Sequence, residues 1–273
     1  MTTVAFAQRV AEVVAERGPL CVGIDPHAPL LAAWGLPDDA AGARELGLRV
    51  VEAAAERVGI VKPQIAFFER HGAAGYAALE EVLAAARAAG LFVIADVKRG
   101  DVGSTVDAYG EAWLTPGSPL EADAMTAVAY QGFGSLDGVL ARARANGKGV
   151  FVLAATSNPE SAEVQTARTA DGATIAQRII ERAARSDGTA GVVVGATVVL
   201  DEVGIDVDVL SRVPVLAPGF GAQGARLVDA PAGFGAAISR VLPNVSRSVL
   251  AAGPEGIAAA IGEAAREVAS WPR

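Results

Sequence analysis

The chain has 273 residues, of which 52% are hydrophobic, and its formal net charge at pH 7 is −8. A chain of this size and composition can bury a large core, which excludes a disordered or fibrous protein and favours one domain spanning residues 1–273. The acidic balance argues against a nucleic-acid partner, because binding to a polyanion depends on a basic surface.

Three further features bear on the compartment. The longest uncharged apolar stretch, Ala190 to Leu200, is shorter than the roughly 18 residues that a membrane helix needs. The N-terminal residues, with Arg9 and Glu12 in an amphipathic pattern, lack the order of a signal peptide. Cys21 is the single cysteine and lies in an apolar run, which predicts a buried thiol and no internal disulfide. We therefore expect a cytoplasmic protein with no membrane partner.

Taken in chain order, the sequence predicts a helix over residues 4–17 and then strands alternating with helices. Short β-branched runs followed by longer stretches of helical period are typical of successive βα units. The predicted strands are Leu20–Asp25, Ile60–Ile65, Phe92–Lys98, Ala124–Ala129, Gly149–Thr156, Gly191–Thr197, Val213–Pro218 and Asn244–Leu250. The predicted helices between and after them are Asp38–Val58, Ala73–Ala89, Ser135–Asn146, Asp171–Asp187 and Pro254–Ser270. Ala222–Arg240 is compatible with either a loop or a short helix, because Gly and Pro interrupt its pattern.

The strands are continuously apolar instead of alternating, as expected when both faces of a parallel sheet are covered. Eight βα units predict a closed (β/α)₈ TIM barrel with an extra N-terminal helix. A doubly wound open sheet is the alternative. It is disfavoured by the strand count and because no Gly-x-Gly-x-x-Gly turn follows the first strand.

Charged residues cluster at the predicted strand ends, where the active site of such a barrel lies. Asp25 ends the first strand, Lys62 lies in the second, and Asp96, Lys98 and Asp101 come at or after the end of the third. The two-residue period places Asp96 and Lys98 on one side of their strand. Any one pair could be a solvated surface ion pair. Together they predict a row of alternating charges in which each ion supports its neighbours, and this row is the candidate catalytic device.

A second cluster follows the seventh and eighth strands, where phosphate commonly binds in these barrels. The stretch Pro218–Gly224 is rich in glycine, and Arg247, placed on the predicted eighth strand, can supply a bidentate charge for a phosphate. A flexible connector is the alternative interpretation of the glycine-rich stretch alone. The substrate-binding candidates of this cluster are Pro218, Gly221, Gln223, Ser246 and Arg247.

Neither metal nor nucleophilic chemistry has a recognisable pattern in this chain. His27 and His71, the two histidines, have no metal-ligand spacing to cysteine or to each other. There is also no Cys/His pair or Gly-x-Ser-x-Gly turn that would indicate a covalent nucleophile. We expect no metal and no cofactor.

The segment Asp96-Val97-Lys98-Arg99-Gly100-Asp101 resembles the Asp-x-Lys-x-x-Asp signature of the orotidine 5′-phosphate decarboxylase family. The resemblance extends over about residues 20–250 and is closest to the longer bacterial branch of that family. Further blocks occur in the family's order: Val22-Gly23-Ile24-Asp25-Pro26, Lys62-Pro63-Gln64, Thr156-Ser157-Asn158-Pro159, Pro218-Gly219-Phe220-Gly221-Ala222-Gln223-Gly224 and Asn244-Val245-Ser246-Arg247-Ser248.

The resemblance implies cofactor-free decarboxylation of orotidine 5′-phosphate to uridine 5′-phosphate, a step of pyrimidine nucleotide biosynthesis. It implies that Lys98 donates the proton to C6 of the pyrimidine and that Asp96 lies beside the departing CO₂. It further implies a homodimer in which Asp101 of the partner subunit completes the site. Thr105 resembles the residue that joins Asp101 across the interface.

The same resemblance assigns the binding residues. Asp25 and Lys62 would hold the ribose hydroxyls, and Ser157 would recognise the pyrimidine amide. Gln223 and Arg247 would hold the phosphate.

Two departures and two competing functions remain open at this point. The family usually has Asn-Pro-Tyr after strand four, where this chain has Val128-Ala129-Tyr130, and Ala225–Leu242 matches poorly. A Mg²⁺-dependent sugar-phosphate decarboxylase or aldolase shares the barrel and the signature, but it tends to have an acidic residue where this chain has Lys62. A phosphometabolite-binding protein without activity is the alternative from another class, and intact Asp96, Lys98 and Asp101 argue against it.

Overall fold

The computed structural model describes residues 4–272, which form a closed barrel of eight parallel strands surrounded by helices. Each strand pairs with the next along the chain, and the eighth pairs with the first. The strands are β1 Cys21–Ile24, β2 Ile60–Pro63, β3 Phe92–Arg99, β4 Ala124–Ala127, β5 Gly149–Ala155, β6 Ala190–Val194, β7 Val215–Pro218 and β8 Val241–Val245.

Thirteen α-helices lie between and around the strands in the described part of the chain. They are α1 Phe6–Arg17, α2 Ala28–Ala33, α3 Ala40–Ala55, α4 Ala66–Glu69, α5 Gly72–Ala88, α6 Gly103–Leu114, α7 Asp137–Ala145, α8 Ala162–Gln165, α9 Ile175–Ala184, α10 Val207–Leu210, α11 Ala230–Phe234, α12 Arg247–Leu250 and α13 Gly253–Ala269. Short 3₁₀ helices occupy Phe133–Leu136, Pro159–Ser161, Leu227–Asp229 and Gly235–Arg240.

The predicted TIM barrel and its extra N-terminal helix are confirmed, and the open-sheet alternative is wrong because β8 closes onto β1. The segment Ala222–Arg240 contains a short helix, α11, between two 3₁₀ turns. None of the helices formed by residues 4–272 combines the length and apolar character that crossing a bilayer requires.

The prediction for the eighth strand is wrong in its position. The strand covers Val241–Val245 instead of Asn244–Leu250, because Val241 and Leu242 pair in register with Val215 and Leu216 of β7. Val249 and Leu250 belong to the short helix α12 and are buried, so their apolar character reflects packing against the core and not strand pairing. Arg247 therefore begins α12 and does not lie on a strand.

The barrel interior is filled at its amino-terminal end by α1. Phe6 is 1% exposed and contacts Phe151 edge to face, with ring centroids 5.5 Å apart, while its ring lies 6.1 Å from that of Phe92. A Cβ on Gly149 would lie 2.3 Å from the Phe6 ring, so only glycine leaves room for this contact. This packing closes the floor of the barrel and leaves the carboxyl ends of the strands open.

Candidate active site

A cleft of about 340 Å³ opens at the carboxyl ends of the strands, the end at which barrel enzymes carry their active sites. Its volume is within the range of small-molecule sites. The predicted site residues that line it are Asp25, Lys62, Asp96, Lys98, Ser157, Pro218, Gln223, Ser246 and Arg247.

Asp96 is the centre of the charge row, and four donors surround its carboxylate. Lys62 Nζ and Gln64 Nε2 each donate to Asp96 Oδ2 at 2.9 Å. Lys98 Nζ donates to Oδ1 at 2.6 Å, and the Thr126 hydroxyl donates to the same oxygen at 2.9 Å. A carboxylate has about four acceptor sites, so these donors fix the plane of the Asp96 carboxylate as well as its charge.

Burial and pairing set the charge states of the two inner members of the row. Burial alone would favour neutral Lys62, which is 4% exposed, but attraction to Asp96 and Asp25 outweighs it and holds the pKa of Lys62 above its ordinary value. Burial likewise opposes the Asp96 charge, yet Lys62 and Lys98 hold the pKa of Asp96 well below its usual range. Both side chains are therefore ionised at neutral pH.

Lys98 reaches the cleft from a bulge in β3. The pairing of β3 with β4 is regular up to Ala95 and Met125, and it resumes at Arg99 and Ala127. Within the bulge Lys98 has φ +48°, a left-handed conformation that costs an ordinary residue about 1–2 kcal/mol. Its side chain is 44% exposed, so the ammonium faces the open cleft beyond Asp96.

Asp25 directly follows β1, and its side chain contacts Ser246, which directly follows the neighbouring strand β8. The Ser246 hydroxyl donates to Asp25 Oδ2, while Asp25 Oδ1 is buried and has no hydrogen-bond partner among residues 4–272. The contact requires Gly23, because a Cβ there would lie 2.7 Å from Ser246 Cβ. The open Oδ1 acceptor suits a ligand hydroxyl, since buried acceptors without a partner are costly.

Two loops meet across the mouth of the cleft. The Ser157 hydroxyl, after β5, donates to Gln223 Oε1 at 3.1 Å. The loop after β7 makes its own turns, in which the Gly221 N–H donates to the Ala225 carbonyl and the Gly224 N–H to the Gly221 carbonyl. Those two amides are therefore occupied within the loop, and Gln223 is the residue with a polar side chain that this loop places on the cleft.

Arg247 lies on the cleft wall with an exposed side chain and no carboxylate within salt-bridge distance among the described residues. Gly221 does not line the cleft; with φ +77° it packs against α12, and a Cβ there would lie 2.6 Å from Ser248 Cβ. Gly221 thus brings the loop after β7 close to the helix that begins at Arg247. The cleft combines a fixed charge row with a free arginine, which suits an anionic substrate.

Comparison with known proteins agrees with this geometry. Residues 18–261 match the model of the "Orotidine 5'-phosphate decarboxylase / HUMPS family". A protein named orotidine 5′-phosphate decarboxylase from Salinispora tropica is 52% identical over 93% of this chain and 92% of its own length. The chain belongs to the orotidine 5′-phosphate decarboxylase / HUMPS family.

Solved structures of the family have the same barrel. A putative orotidine 5′-phosphate decarboxylase from Streptomyces avermitilis superposes with a TM-score of 0.94 at 48% identity, covering 99% of this chain and 96% of that one. The Leishmania donovani OMP decarboxylase superposes with a TM-score of 0.79 at 35% identity, covering 98% of each chain. The family resemblance of the sequence is thereby confirmed over nearly the whole chain.

The signature's last residue, Asp101, does not reach the cleft of its own chain. Its Oδ1 accepts the Val102 N–H at 2.8 Å, and Thr105 is exposed in the first turn of α6. Val102, which directly follows Asp101, is 55% exposed, and Tyr130, in the loop after β4, is 80% exposed. Asp101 and Thr105 thus lie outside the cleft that Lys62, Asp96 and Lys98 line.

Five polar residues that line the cleft were given no role from the sequence: Gln64, Thr126, Thr156, Asn158 and Asn244. Thr126 is a polar residue inside the apolar strand Ala124–Ala127, and that interruption is the signal that could have indicated it. Gln64 and Asn244 occur within the family blocks, but nothing in their spacing points to Asp96 or to the cleft.

The departure at Val128-Ala129 leaves the pocket wall intact, because Thr126 is the residue of β4 that lines the cleft. Val128 instead contacts the backbone of the signature segment at Arg99 and Gly100. Its N–H donates to the Arg99 carbonyl at 2.9 Å, and a Cβ on Gly100 would lie 2.3 Å from its carbonyl oxygen. The glycine of the signature is therefore required by this close approach.

Proposed function

We propose that this chain catalyses the decarboxylation of orotidine 5′-phosphate to uridine 5′-phosphate and CO₂. The observation that carries the proposal is the buried Asp96 carboxylate held between Lys62 and Lys98 at the open end of the barrel. Family membership and about 50% identity to proteins named orotidine 5′-phosphate decarboxylase support it independently.

The reaction demands electrostatic stabilisation. Breaking the bond between C6 and the carboxylate leaves an electron pair in the plane of the pyrimidine ring, where the π-system cannot delocalise it. A positive charge fixed beside C6 stabilises the developing carbanion without reorganising at the moment of reaction. Lys98 supplies this charge, because its ammonium faces the cleft and is anchored to Asp96 Oδ1 at 2.6 Å.

Lys98 also completes the chemistry as a general acid. As CO₂ departs, one proton of the ammonium transfers to C6, forming the C–H bond of uridine 5′-phosphate. The neutral amine then regains a proton from water. Atoms and charge balance with no oxidant, reductant or cofactor.

Asp96 lies beside the carboxylate that leaves. Its four donors keep it ionised and prevent it from turning away, so it repels a bound carboxylate that approaches Lys98. Loss of CO₂ removes that repulsion, which is a form of ground-state destabilisation.

The other cleft residues bind groups remote from the reacting bond. Asp25, with its open Oδ1, and Lys62 hold the ribose hydroxyls, and the Ser157 hydroxyl recognises the pyrimidine amide. Gln223 and Arg247 hold the phosphate, with Pro218 and Gly221 shaping the loop that carries Gln223. Such remote binding energy positions the ring for the chemical step.

The site is completed by a second copy of the chain. Asp101 of the partner subunit extends the charge row beside Lys98, and Thr105 joins it across the interface. Two observations support this proposal. Asp101 and Thr105 lie outside the cleft of their own chain. Val102 and Tyr130 are exposed, and an interface would cover the apolar and aromatic surface that they form. A homodimer with two composite sites follows.

Nucleic acid and membrane partners do not form part of this function, and the acidic net charge supports the former expectation. The cytoplasmic location remains a prediction.

Cys21 is unpaired and fully buried in the barrel, and burial raises the pKa of its thiol to about 12, so it is a structural thiol.

The proposal is tested by following the loss of orotidine 5′-phosphate absorbance with purified protein in excess chelator. We expect full turnover, because Lys62 stands where a metal-dependent relative has an acidic ligand. Activity that disappears with chelator and returns with Mg²⁺ would favour the metal-dependent sugar-phosphate reaction type. Binding of the substrate without turnover would favour the phosphometabolite-binding alternative.

A further inference from the structure

We infer that Thr126 is a positioning residue that holds Lys98 and Asp96 in their reactive arrangement. The inference rests on the proposed decarboxylation and adds a residue to it. Thr126 is 1% exposed and lies on β4 directly beside the bulge of β3.

The bulge removes the ordinary backbone pairing at this point. Between the paired positions Ala95/Met125 and Arg99/Ala127, three residues of β3 stand opposite the single residue Thr126. The Lys98 N–H, which would otherwise bond a carbonyl of β4, donates instead to Thr126 Oγ1 at 2.9 Å. A side chain thus replaces the missing partner of the strand ladder.

The hydroxyl has one proton, and the geometry fixes where it goes. Because Thr126 Oγ1 accepts from the Lys98 N–H, its own proton is directed to Asp96 Oδ1 at 2.9 Å. The backbone of Lys98 and the carboxylate of Asp96 are therefore linked through one atom. The Lys98 ammonium bonds the same Asp96 oxygen at 2.6 Å, which closes the loop from the Lys98 backbone to its side chain.

This link explains how an unfavourable backbone conformation persists. Lys98 has φ +48°, which an L-residue adopts only where its surroundings impose it. Threonine suits the task, because its β-branched side chain has few rotamers when buried and so holds the hydroxyl direction. Without the hydroxyl the bulge can relax and the ammonium moves relative to C6.

The test compares Thr126→Val, which keeps the shape and removes the hydroxyl, with Thr126→Ser, which keeps the hydroxyl. Displacing a catalytic group by about 1 Å costs on the order of 100-fold in rate. We expect Thr126→Val to lower kcat by about 10- to 100-fold, with KM and the Kd of uridine 5′-phosphate changed less than about threefold, and we expect Thr126→Ser to restore most of kcat.

Each outcome has one meaning. If wild-type protein turns over orotidine 5′-phosphate and Thr126→Val retains its kcat, Thr126 has no positioning role although the proposed function stands. If wild type shows no turnover, the proposed function itself fails. Equal losses in kcat for Val and Ser, or a rise in Kd that accounts for the whole effect, would also overturn the inference. Should the Val variant fail to fold, Thr126→Ala takes its place in the comparison with Ser, and unfolding of both would assign Thr126 a purely structural role.

Discussion

Burying Asp96 with Lys62 is unfavourable for stability by itself, because the attraction within a buried ion pair seldom exceeds the cost of removing both charges from water. Gln64 and Thr126 reduce that cost by satisfying the carboxylate, yet an apolar pair of the same volume would serve the fold as well. A network that the fold does not need is expected where chemistry requires it. This is why the charge row, and not the apolar cleft wall, indicates function.

At the residue scale, the sequence correctly predicted that Asp96 and Lys98 are neighbours, but the strand period on which that prediction rested is only part of the cause. Period two placed Asp96 and Lys98 on one side of a regular strand, whereas the structure brings them together through a bulge with Lys98 at φ +48°. Bulges depend on what the neighbouring strand presents, here Thr126. Local periodicity contains no such information, so Thr126 and Gln64 could not be assigned from spacing.

Arg247 yields a prediction about ligand charge. We expect Arg247→Ala to weaken the binding of uridine 5′-phosphate about 10- to 100-fold and to change the Kd of uridine by less than about twofold. The reason is that a charge-assisted hydrogen bond contributes about 1.5–3 kcal/mol. Isothermal titration with the two ligands measures the difference. Arg226→Ala is the matched control, since Arg226 is exposed beside the same loop, outside the cleft and near Asp229. Equal losses for nucleotide and nucleoside would remove Arg247 from the phosphate site.

At the scale of elements, the strand order followed from the alternation of β-branched runs with helical stretches, whereas the helix α6, Gly103–Leu114, was not predicted. Boundaries were less certain where apolar residues serve either kind of element, as at Val249 and Leu250, which belong to α12 and not to β8. Ala222–Arg240 remained open because α11 and its 3₁₀ neighbours are too short to show a period.

The helix α1 provides the prediction at this scale. Phe6→Ala should lower the free energy of unfolding by about 3 kcal/mol, because it empties a buried site at the barrel floor. kcat should change little, since the floor is opposite the cleft. Urea denaturation with a parallel activity assay measures both.

Gly149→Ala is the informative companion variant, because its Cβ would enter the space of the Phe6 ring. It should destabilise the wild type but cost less in the Phe6→Ala background, where that space is vacant. Additive losses in the double variant would mean that the two residues do not share this contact.

At the scale of the whole molecule, the proposed active site requires two copies of the chain, and mixing two inactive variants tests this. In the proposed dimer, Lys98→Ala and Asp101→Asn would damage the same composite site from different subunits. Subunit exchange at equal amounts makes about half of the dimers mixed, and one of the two sites in each mixed dimer is native, so about a quarter of all sites should recover activity.

The control is the unmixed variants, which should both stay inactive under the exchange conditions. No recovery, with mixed dimers verified by mass, would place Asp101 in its own subunit's site or outside catalysis. The single sequence could suggest this arrangement only through family resemblance, because an interface leaves no periodic signal along one chain.

Release of labelled CO₂ from orotidine 5′-phosphate that carries the label in its carboxylate measures the proposed decarboxylation directly. Wild-type protein should release one CO₂ for each uridine 5′-phosphate formed. Lys98→Ala should bind uridine 5′-phosphate with a folded structure but lower kcat by at least about 10³-fold, since it loses both charge stabilisation and proton delivery. No CO₂ from the wild type would contradict the proposed decarboxylation, and a Lys98→Ala variant that retains most of the wild-type kcat would contradict the role of Lys98.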